Sequence, residues 1–160
     1  MNKQETYDYL TSRGVRFEIT EHEAVFNMEE LNSVELPYPD RDAKNLFVRD
    51  DKKRNYYLLT VKGDKKVDLK AFQQTFGTRK LSFGSAEDLL ALLGLTPGSV
   101  TPLGLLNDEE RKVTLYLDRF FLGGLVGVHP NDNRATVWLK AEDLIKVLED
   151  HGSPVQVVEI

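Results

Sequence analysis

The sequence predicts an α+β domain in which a mixed β-sheet is surrounded by helices. Helical and strand-like segments are interleaved along the chain, but several strands follow one another directly, which disfavours a doubly wound parallel sheet. The chain has 160 residues, of which 41% are hydrophobic and 29% are charged. This length and composition are typical of one globular domain with a substantial core, so residues 1–160 are expected to form a single unit.

The N-terminal part of the chain alternates between short helices and one strand. Residues 2–13 are predicted to form a helix that ends at Gly14. The alternation of apolar and polar residues over 15–20 predicts a strand. Asn27 with Glu30 three residues later resembles a capping box, which predicts the start of a second short helix.

A hairpin and two helices are predicted in the middle of the chain. Residues 46–49 and 56–61 are apolar and strand-like, and the polar stretch 50–55 separates them. We therefore expect two antiparallel strands joined by a turn. Helices are predicted over 68–76 and 85–93, because each segment begins with a capping residue and is followed by glycine.

The C-terminal half is predicted to contain mostly strands. Alternating or apolar runs over 113–117, 126–128 and 136–139 predict three of them. A helix over 141–150 and a last strand over 155–158 complete the order of elements.

Charge is distributed unevenly along the sequence. The chain has 21 basic and 26 acidic residues and a net charge of −5, which by itself argues against a nucleic-acid partner. Residues 41–80 nevertheless hold 12 basic and 5 acidic residues, a net charge of +7, whereas 1–40 and 81–160 each carry −6. A basic segment within an acidic protein is typical of local recognition of an anion; the alternative is a solvated, lysine-rich hairpin.

Several classes of function are excluded by what the sequence lacks. It has no cysteine, and therefore no disulfide, thiolate nucleophile or cysteine-ligated zinc. It contains no GxxxxGK[ST] phosphate loop, no GxSxG nucleophile elbow and no HExxH, and its three histidines are far apart in sequence. We therefore expect no metal and no cofactor. Since no apolar run reaches the length of a membrane span and no signal core follows Met1, we expect a cytoplasmic protein.

Three groups of residues remain as candidate sites. Lys44 and Asn45 stand at the entry of an apolar strand, where an ammonium and an amide could hold phosphate or ribose oxygens. The segment 96–104 has two prolines and two glycines and could present main-chain N–H groups to a carbonyl or an oxyanion. His129 ends a strand before a polar turn and could orient a water or a hydroxyl near neutral pH. Their structural alternatives are a surface lysine beside a turn, a plain connector and a structural histidine.

The ordered set of these motifs resembles the YbaK-like prolyl-tRNA editing family. The motifs are Lys44-Asn45-Leu46-Phe47 followed by the basic hairpin, Leu93-Gly94-Leu95, the loop Pro97-Gly98-Ser99-Val100-Thr101-Pro102-Leu103-Gly104, and His129-Pro130-x-x-Asn133-x-x-Thr136. Order and spacing match along nearly the whole chain, from His22 and Phe26 to the C-terminal strand. Within the family the chain resembles the free-standing alanyl-tRNA(Pro) deacylases, which are similar to the editing domain inserted in some bacterial prolyl-tRNA synthetases.

The resemblance implies a barrel-like mixed sheet and hydrolysis of the ester that joins a wrongly charged alanine to the terminal adenosine of proline tRNA. It implies that Lys44 holds the terminal ribose–phosphate region and that Asn45, Gly98 and His129 complete the catalytic site. The residues expected to bind the substrate are Phe26, Ser99, Val100, Thr101, Pro102 and Asn133. The residues expected to contact the RNA are Lys52, Lys53, Arg54, Arg79 and Lys80, with Arg79 and Lys80 as alternative equivalents of one basic position of the family.

Two other functions stay open at this point. The first keeps the reaction but changes the substrate to cysteinyl-tRNA(Pro) or another small misacylated tRNA, because the volume of the pocket decides the choice. The second is a non-catalytic module that holds RNA ends or docks on a synthetase. The expected partners are the acceptor end of tRNA(Pro) and, as a candidate, prolyl-tRNA synthetase, with no membrane.

Overall fold

The structure, a computed structural model, describes residues 1–32 and 34–160. Within them the α-helices are α1 (Lys3–Ser12), α2 (Met28–Asn32), α3 (Leu69–Phe76), α4 (Ala86–Leu93) and α5 (Ala141–His151). The strands are β1 (Phe17–Glu21), β2 (Ala43–Asp50), β3 (Tyr56–Lys62), β4 (Leu81–Phe83), β5 (Val113–Asp118), β6 (Leu125–Val128), β7 (Ala135–Lys140) and β8 (Val155–Val158). Short 3₁₀ helices span Pro97–Ser99, Pro102–Asn107 and Arg119–Phe121.

The strands form a five-stranded and a three-stranded sheet. In the larger sheet the order is β4-β2-β3-β5-β8, with β2 antiparallel to both neighbours and β5 parallel to β3 and β8. The smaller sheet has the order β1-β7-β6 and is antiparallel throughout. The predicted α+β class with a mixed sheet is therefore confirmed. The barrel-like sheet takes the form of two adjoining sheets and does not close in the part of the chain described.

The two sheets meet where β2 begins. The amide of Gly127 in β6 donates to the carbonyl of Arg41 at 2.8 Å, and Asp42 forms an isolated bridge with Gly127. Gly127 must lack a side chain because a Cβ there would lie 2.4 Å from the ring of Trp138 on β7. This junction places the end of β6 beside the start of β2.

Local sequence signals account for most of the element boundaries. The side chain of Asn2 accepts from the amide of Glu5 and caps α1, Asp68 caps α3, and Ser85 caps α4. Gly77 and Gly94, which follow α3 and α4, adopt the left-handed conformation that glycine tolerates best. The predicted hairpin is confirmed, with Asn45 opposite Thr60 and Val48 opposite Tyr57.

Two local features differ from the prediction. The three-residue strand β4 is too short to give a periodic pattern, yet it pairs with the end of β2. The segment predicted as a stiff loop contains two short 3₁₀ helices, each with proline at its first position. Proline fixes φ near the helical value and has no amide to leave unpaired, so these positions suit it.

The five-stranded sheet is covered on both faces. Its larger core includes Leu58, Leu115 and Leu117 and continues into α1, α4, α5 and the smaller sheet. A second cluster formed by Val48, Leu59, Phe72 and Leu81 lies on the other face under α3. Burial on both faces holds β2 and β3 rigidly, which fixes the polar side chains that these strands carry at their ends.

Candidate active site

A cavity of about 220 Å³ lies where four separate segments converge. They are α2 with the turn before it, the start of β2, the first 3₁₀ helix with the residue after it, and the residue that follows β6. The lining residues are Val25, Phe26, Asn27, Met28, Leu31, Ala43, Lys44, Asn45, Pro97, Gly98, Val100 and His129. The structure thus brings together all four residues predicted to be catalytic, as well as Phe26 and Val100; their roles stay predictions.

Asn45 is held in one orientation by a buried partner. The hydroxyl of Thr60, its cross-strand neighbour, donates to Oδ1 of Asn45 at 2.6 Å, and Thr60 itself is fully buried. Because a carboxamide has one oxygen and one NH₂ group, this hydrogen bond leaves the two donors of Nδ2 for other partners. Asn45 can therefore present N–H groups to an oxygen bound in the cavity.

His129 is held in one tautomer, and its burial favours the neutral form. Its Nδ1 lies 2.8 Å from the carbonyl oxygen of Ala135, which can only accept, so Nδ1 carries the proton and Nε2 keeps its lone pair. Burial, more than the neighbouring ring of His22, lowers the pKa of His129. The residue can therefore accept a proton or a hydrogen bond through Nε2 at neutral pH.

The backbone of His129 is anchored by the loop that carries Gly98. The hydroxyl of Thr101 donates to the carbonyl of His129 at 2.6 Å and accepts from the amide of Leu103. Thr101, Ser99 and Pro102 were predicted to bind the substrate, but none of the three lines the cavity, and all are buried. Their positions indicate that they hold the loop in place behind the cavity wall.

Phe26 packs over Gly98 and narrows the cavity. A Cβ at Gly98 would lie 2.5 Å from Cδ1 of Phe26, so only glycine permits this close approach. Phe26 is 66% exposed, and its ring can therefore move if it is pushed. Asn133, also predicted to bind the substrate, does not line the cavity; it exchanges two hydrogen bonds with Val25 and so positions the segment that carries Phe26.

Lys44 and Asn45 leave β2 in opposite directions. Consecutive residues of a strand point to opposite faces, and the ammonium of Lys44 donates to the carbonyl of Lys65 at 2.5 Å. Lys65 in turn pairs with the buried carboxylate of Asp118 at 2.6 Å. Lys44 thus lines the cavity while its ammonium is bound to a main-chain oxygen.

The five basic residues predicted to contact RNA lie away from the cavity. Lys52, Lys53 and Arg54 are exposed in the turn between β2 and β3. The turn follows Asp50, six residues along β2 from Lys44 and therefore about 20 Å away. Arg79 is engaged in a bidentate ion pair with Asp51, at 2.6 and 3.1 Å, whereas Lys80 is exposed beside it.

The sequence did not lead us to expect the hydrogen bonds that Thr60 and Thr136 make. Thr60 could have been found, because a hairpin centred on Lys52 and Lys53 places it opposite Asn45. Thr136 was part of a motif, but its contact with His22 was not expected. His22 donates from Nδ1 to the carbonyl of Glu23, so its Nε2 accepts from the hydroxyl of Thr136 at 3.0 Å.

Neither a metal cluster nor a membrane-spanning helix is found in residues 1–32 and 34–160. No three His, Asp or Glu side chains come together there in a way that could hold a metal ion. None of the helices there is long and apolar enough to cross a membrane.

Comparison with known proteins identifies the family. A model of the aminoacyl-tRNA editing domain matches residues 22–147, a range that contains all four segments of the cavity. The chain belongs to this family, and it is an aminoacyl-tRNA deacylase, an enzyme that hydrolyses the ester between an amino acid and a tRNA.

The relatives point to one branch of that family. The chain is 40% identical over 159 residues to the prolyl-tRNA editing protein ProX of Acetoanaerobium sticklandii, a match that covers 99% of this chain and 97% of the relative. It is 34% identical over 148 residues to the prolyl-tRNA synthetase associated domain-containing protein 1 of Bos taurus, covering 89% of this chain and 86% of the relative.

A solved structure shares the fold. The fold matches that of a candidate trans-editing enzyme for prolyl tRNA synthetase with a TM-score of 0.72 at 22% identity, covering 99% of this chain and 96% of the other. At this identity the likeness shows the fold alone.

Proposed function

We propose that this protein hydrolyses alanyl-tRNA(Pro) in trans and so removes alanine that has been wrongly attached to proline tRNA. The observation that carries the proposal is the convergence of Asn45, Gly98 and His129 on one small, largely apolar cavity. The near full-length similarity to a prolyl-tRNA editing protein supports the choice of tRNA.

A synthetase pocket shaped for proline needs a second, smaller site elsewhere to remove alanine. One methylene group is worth only about 1–3 kcal/mol in binding, so a proline pocket cannot strongly reject alanine. A separate cavity can admit the smaller residue and exclude the larger one. Val25, Met28 and Leu31 supply an apolar wall here, and Phe26 over Gly98 limits the space.

The reaction needs positioning more than a strong nucleophile, because an aminoacyl ester is already activated. Water adds to the ester carbonyl carbon, the bond from that carbon to the ribose oxygen breaks, and a proton from the water ends on the ribose oxygen. Nε2 of His129 can accept a hydrogen bond from the attacking water or a ribose hydroxyl, and Nδ2 of Asn45 can donate to an oxygen that gains charge. The missing side chain at Gly98 makes room for the ring of Phe26, which limits the space open to the aminoacyl group.

Lys44 would hold the terminal ribose–phosphate region of the RNA. Its ammonium has three donors and uses one of them on the carbonyl of Lys65. A phosphate oxygen could take another of these donors or replace the carbonyl. This role requires the acceptor end of tRNA(Pro) as a partner. Prolyl-tRNA synthetase is a candidate second partner, and the protein would meet both in the cytoplasm.

A panel of charged tRNAs tests the proposal. We would measure single-turnover loss of alanine, cysteine and proline from tRNA(Pro), with the unaltered protein and with Lys44→Ala. Rapid loss of alanine that depends on Lys44, with prolyl-tRNA(Pro) left intact, supports it. If cysteine is lost from tRNA(Pro) faster than alanine, the substrate is cysteinyl-tRNA(Pro) instead. If the rates of hydrolysis with and without the protein are equal, the protein is a non-catalytic module.

The neighbouring 2′-hydroxyl of the terminal ribose is a further candidate for activating the water. If it takes part, alanyl-tRNA(Pro) ending in 2′-deoxyadenosine should be hydrolysed far more slowly in single turnover. An undiminished rate with that substrate would contradict this part of the mechanism.

A further inference from the structure

A second cavity of about 160 Å³ adjoins the candidate active site. The two cavities share Asn45, Pro97 and Val100. The remaining lining residues of the second cavity, hereafter the groove, are Leu46, Phe47, Phe83, Gly84, Ala86 and Leu89. None of the residues that line the groove is charged, so it suits a neutral group better than a phosphate.

Within the part of the chain that the structure describes, no strand pairs with the edge of β2 at Asn45, which faces the groove. The carbonyl of Phe47 points to the β4 side, where it accepts from the amide of Gly84 at 2.9 Å, whereas the amide of Asp50 points to the β3 side. Because the direction alternates along an antiparallel strand, the amide and carbonyl of Asn45 point to the same side as those of Phe47. β4 pairs only with Val48–Asp50, so it does not reach Asn45.

Phe83 adds an exposed aromatic surface to the groove. It ends β4, lies directly before Gly84, and is 63% exposed although it is a large apolar residue. Exposed aromatic side chains are the usual platforms for stacking nucleobases of single-stranded RNA.

We propose that the groove binds the terminal adenine of the RNA substrate, stacked on Phe83. This inference rests on the proposed function, because the ester and the base belong to one nucleoside and must occupy neighbouring cavities. The N–H and C=O of Asn45 supply one donor and one acceptor, which match the acceptor nitrogen and the amino group on one edge of adenine. Shared walls at Asn45, Pro97 and Val100 place base and ester side by side.

An added peptide strand is the other ligand that a free strand edge can take. The free part of this edge is short, because Gly127 bridges to Asp42 on one side and Gly84 binds Phe47 on the other. Strand addition needs several consecutive main-chain pairs, which this interval does not offer. A single base therefore fits the groove better.

The test is a double-mutant cycle between Phe83 and the base. We would measure the dissociation constants of an uncharged acceptor-stem hairpin ending in CCA, and of the same hairpin with an abasic terminal ribose, for the unaltered protein, Phe83→Ala and Phe83→Trp. Removing either the base or the ring should weaken binding by about 5- to 150-fold, and removing both should cost little more than removing one. Phe83→Trp should retain the preference for the base.

Leu90→Ala is the matched control, because Leu90 is 61% exposed but does not line the groove. It should bind both hairpins as the unaltered protein does. Independent effects of base and ring, or no effect of Phe83→Ala, would overturn the proposal. The proposal would also be overturned if an extended Thr/Val hexapeptide bound and shifted the amide resonances of Asn45 and Phe47, and the RNA hairpin did not shift them. Since uncharged RNA is used, failure of deacylation would overturn the proposed function without affecting this result.

Discussion

The hydroxyl of Thr60 donates to the side-chain oxygen of Asn45 at 2.6 Å across β2 and β3. Thr60 is fully buried, whereas Asn45 lines the cavity. The hydrogen bond therefore fixes the side chain of Asn45 to the rigid hairpin. Without it, the amide of Asn45 could rotate and present its oxygen where the substrate needs a donor.

Replacing Thr60 with valine should disturb the site more than the fold. The shape of the side chain is nearly kept, and the lost hydrogen bond together with the unpaired Asn45 oxygen should lower the free energy of unfolding by about 1–3 kcal/mol. The rate constant of deacylation should fall by at least tenfold, and Thr60→Ser should restore most of it. Single-turnover assays and urea unfolding measure the two effects; equal loss of rate in the serine variant would contradict a role for the hydroxyl.

Gly98→Ala should displace Phe26 and alter selectivity. The added Cβ would lie 2.5 Å from the Phe26 ring and 3.2 Å from Nδ2 of Asn133, and the exposed ring is free to swing away. We expect little change in thermal stability and a smaller ratio of alanyl to prolyl hydrolysis. If the contact is the cause, Gly98→Ala should have a weaker effect when Phe26→Ala is already present. Additive effects of the two changes would contradict this explanation.

His129 should make the protein less stable in acid. Burial lowers its pKa below the ordinary value of 6.5, so the unfolded chain binds more protons than the folded chain as the pH falls. The stabilisation is complete above the unfolded pKa and is lost as the pH drops through the folded one. The loss of unfolding free energy between about pH 7.5 and about pH 5.5 should be smaller in His129→Gln than in the unaltered protein.

His151 provides the control for this measurement. Burial, followed by the charge of Arg111, lowers its pKa too, but it lies at the end of α5 and does not line the cavity. His151→Gln should reduce the acid sensitivity of folding without changing the rate of deacylation at neutral pH. If His129→Gln leaves both properties unchanged, the assignment of a neutral, buried imidazole at the site is wrong.

The basic turn between β2 and β3 should affect RNA affinity and its dependence on salt. Each phosphate contact that is lost reduces the slope of log K against log salt by about 0.9 on a duplex. Replacing Lys52, Lys53 and Arg54 together by glutamine should raise KM and flatten this slope, with kcat nearly unchanged, because the turn lies about 20 Å from Lys44. Measurement of KM at several salt concentrations checks this.

A variant with the same change in charge serves as the control. Arg119, Lys140 and Lys146 lie outside the basic segment 41–80, so replacing them by glutamine should leave the salt slope as it was. An equal rise of KM in both variants would show that net charge alone is responsible, and that the turn makes no specific contact with RNA.

Local signals in the sequence determined most of the secondary structure. The caps at Asp68 and Ser85 and the glycines that end α3 and α4 act within one helical turn, so the residues themselves reveal them. The order of motifs also indicated which segments form the site. Even the pairing of Asn45 with Thr60 follows from the hairpin, since the position of the turn fixes the register.

Only the tertiary structure decided where each motif residue lies and what it contacts. Ser99, Thr101, Pro102 and Asn133 belong to the motifs but do not line the cavity, and the first three are buried. The ammonium of Lys44 turns to a main-chain oxygen, and Phe26 packs on Gly98 from a segment far away in sequence. Such contacts depend on how sheets and loops pack against one another, and no short-range pattern encodes packing between distant segments. The sequence by itself therefore determined most of the elements and the class of protein, whereas packing decided the geometry of the site.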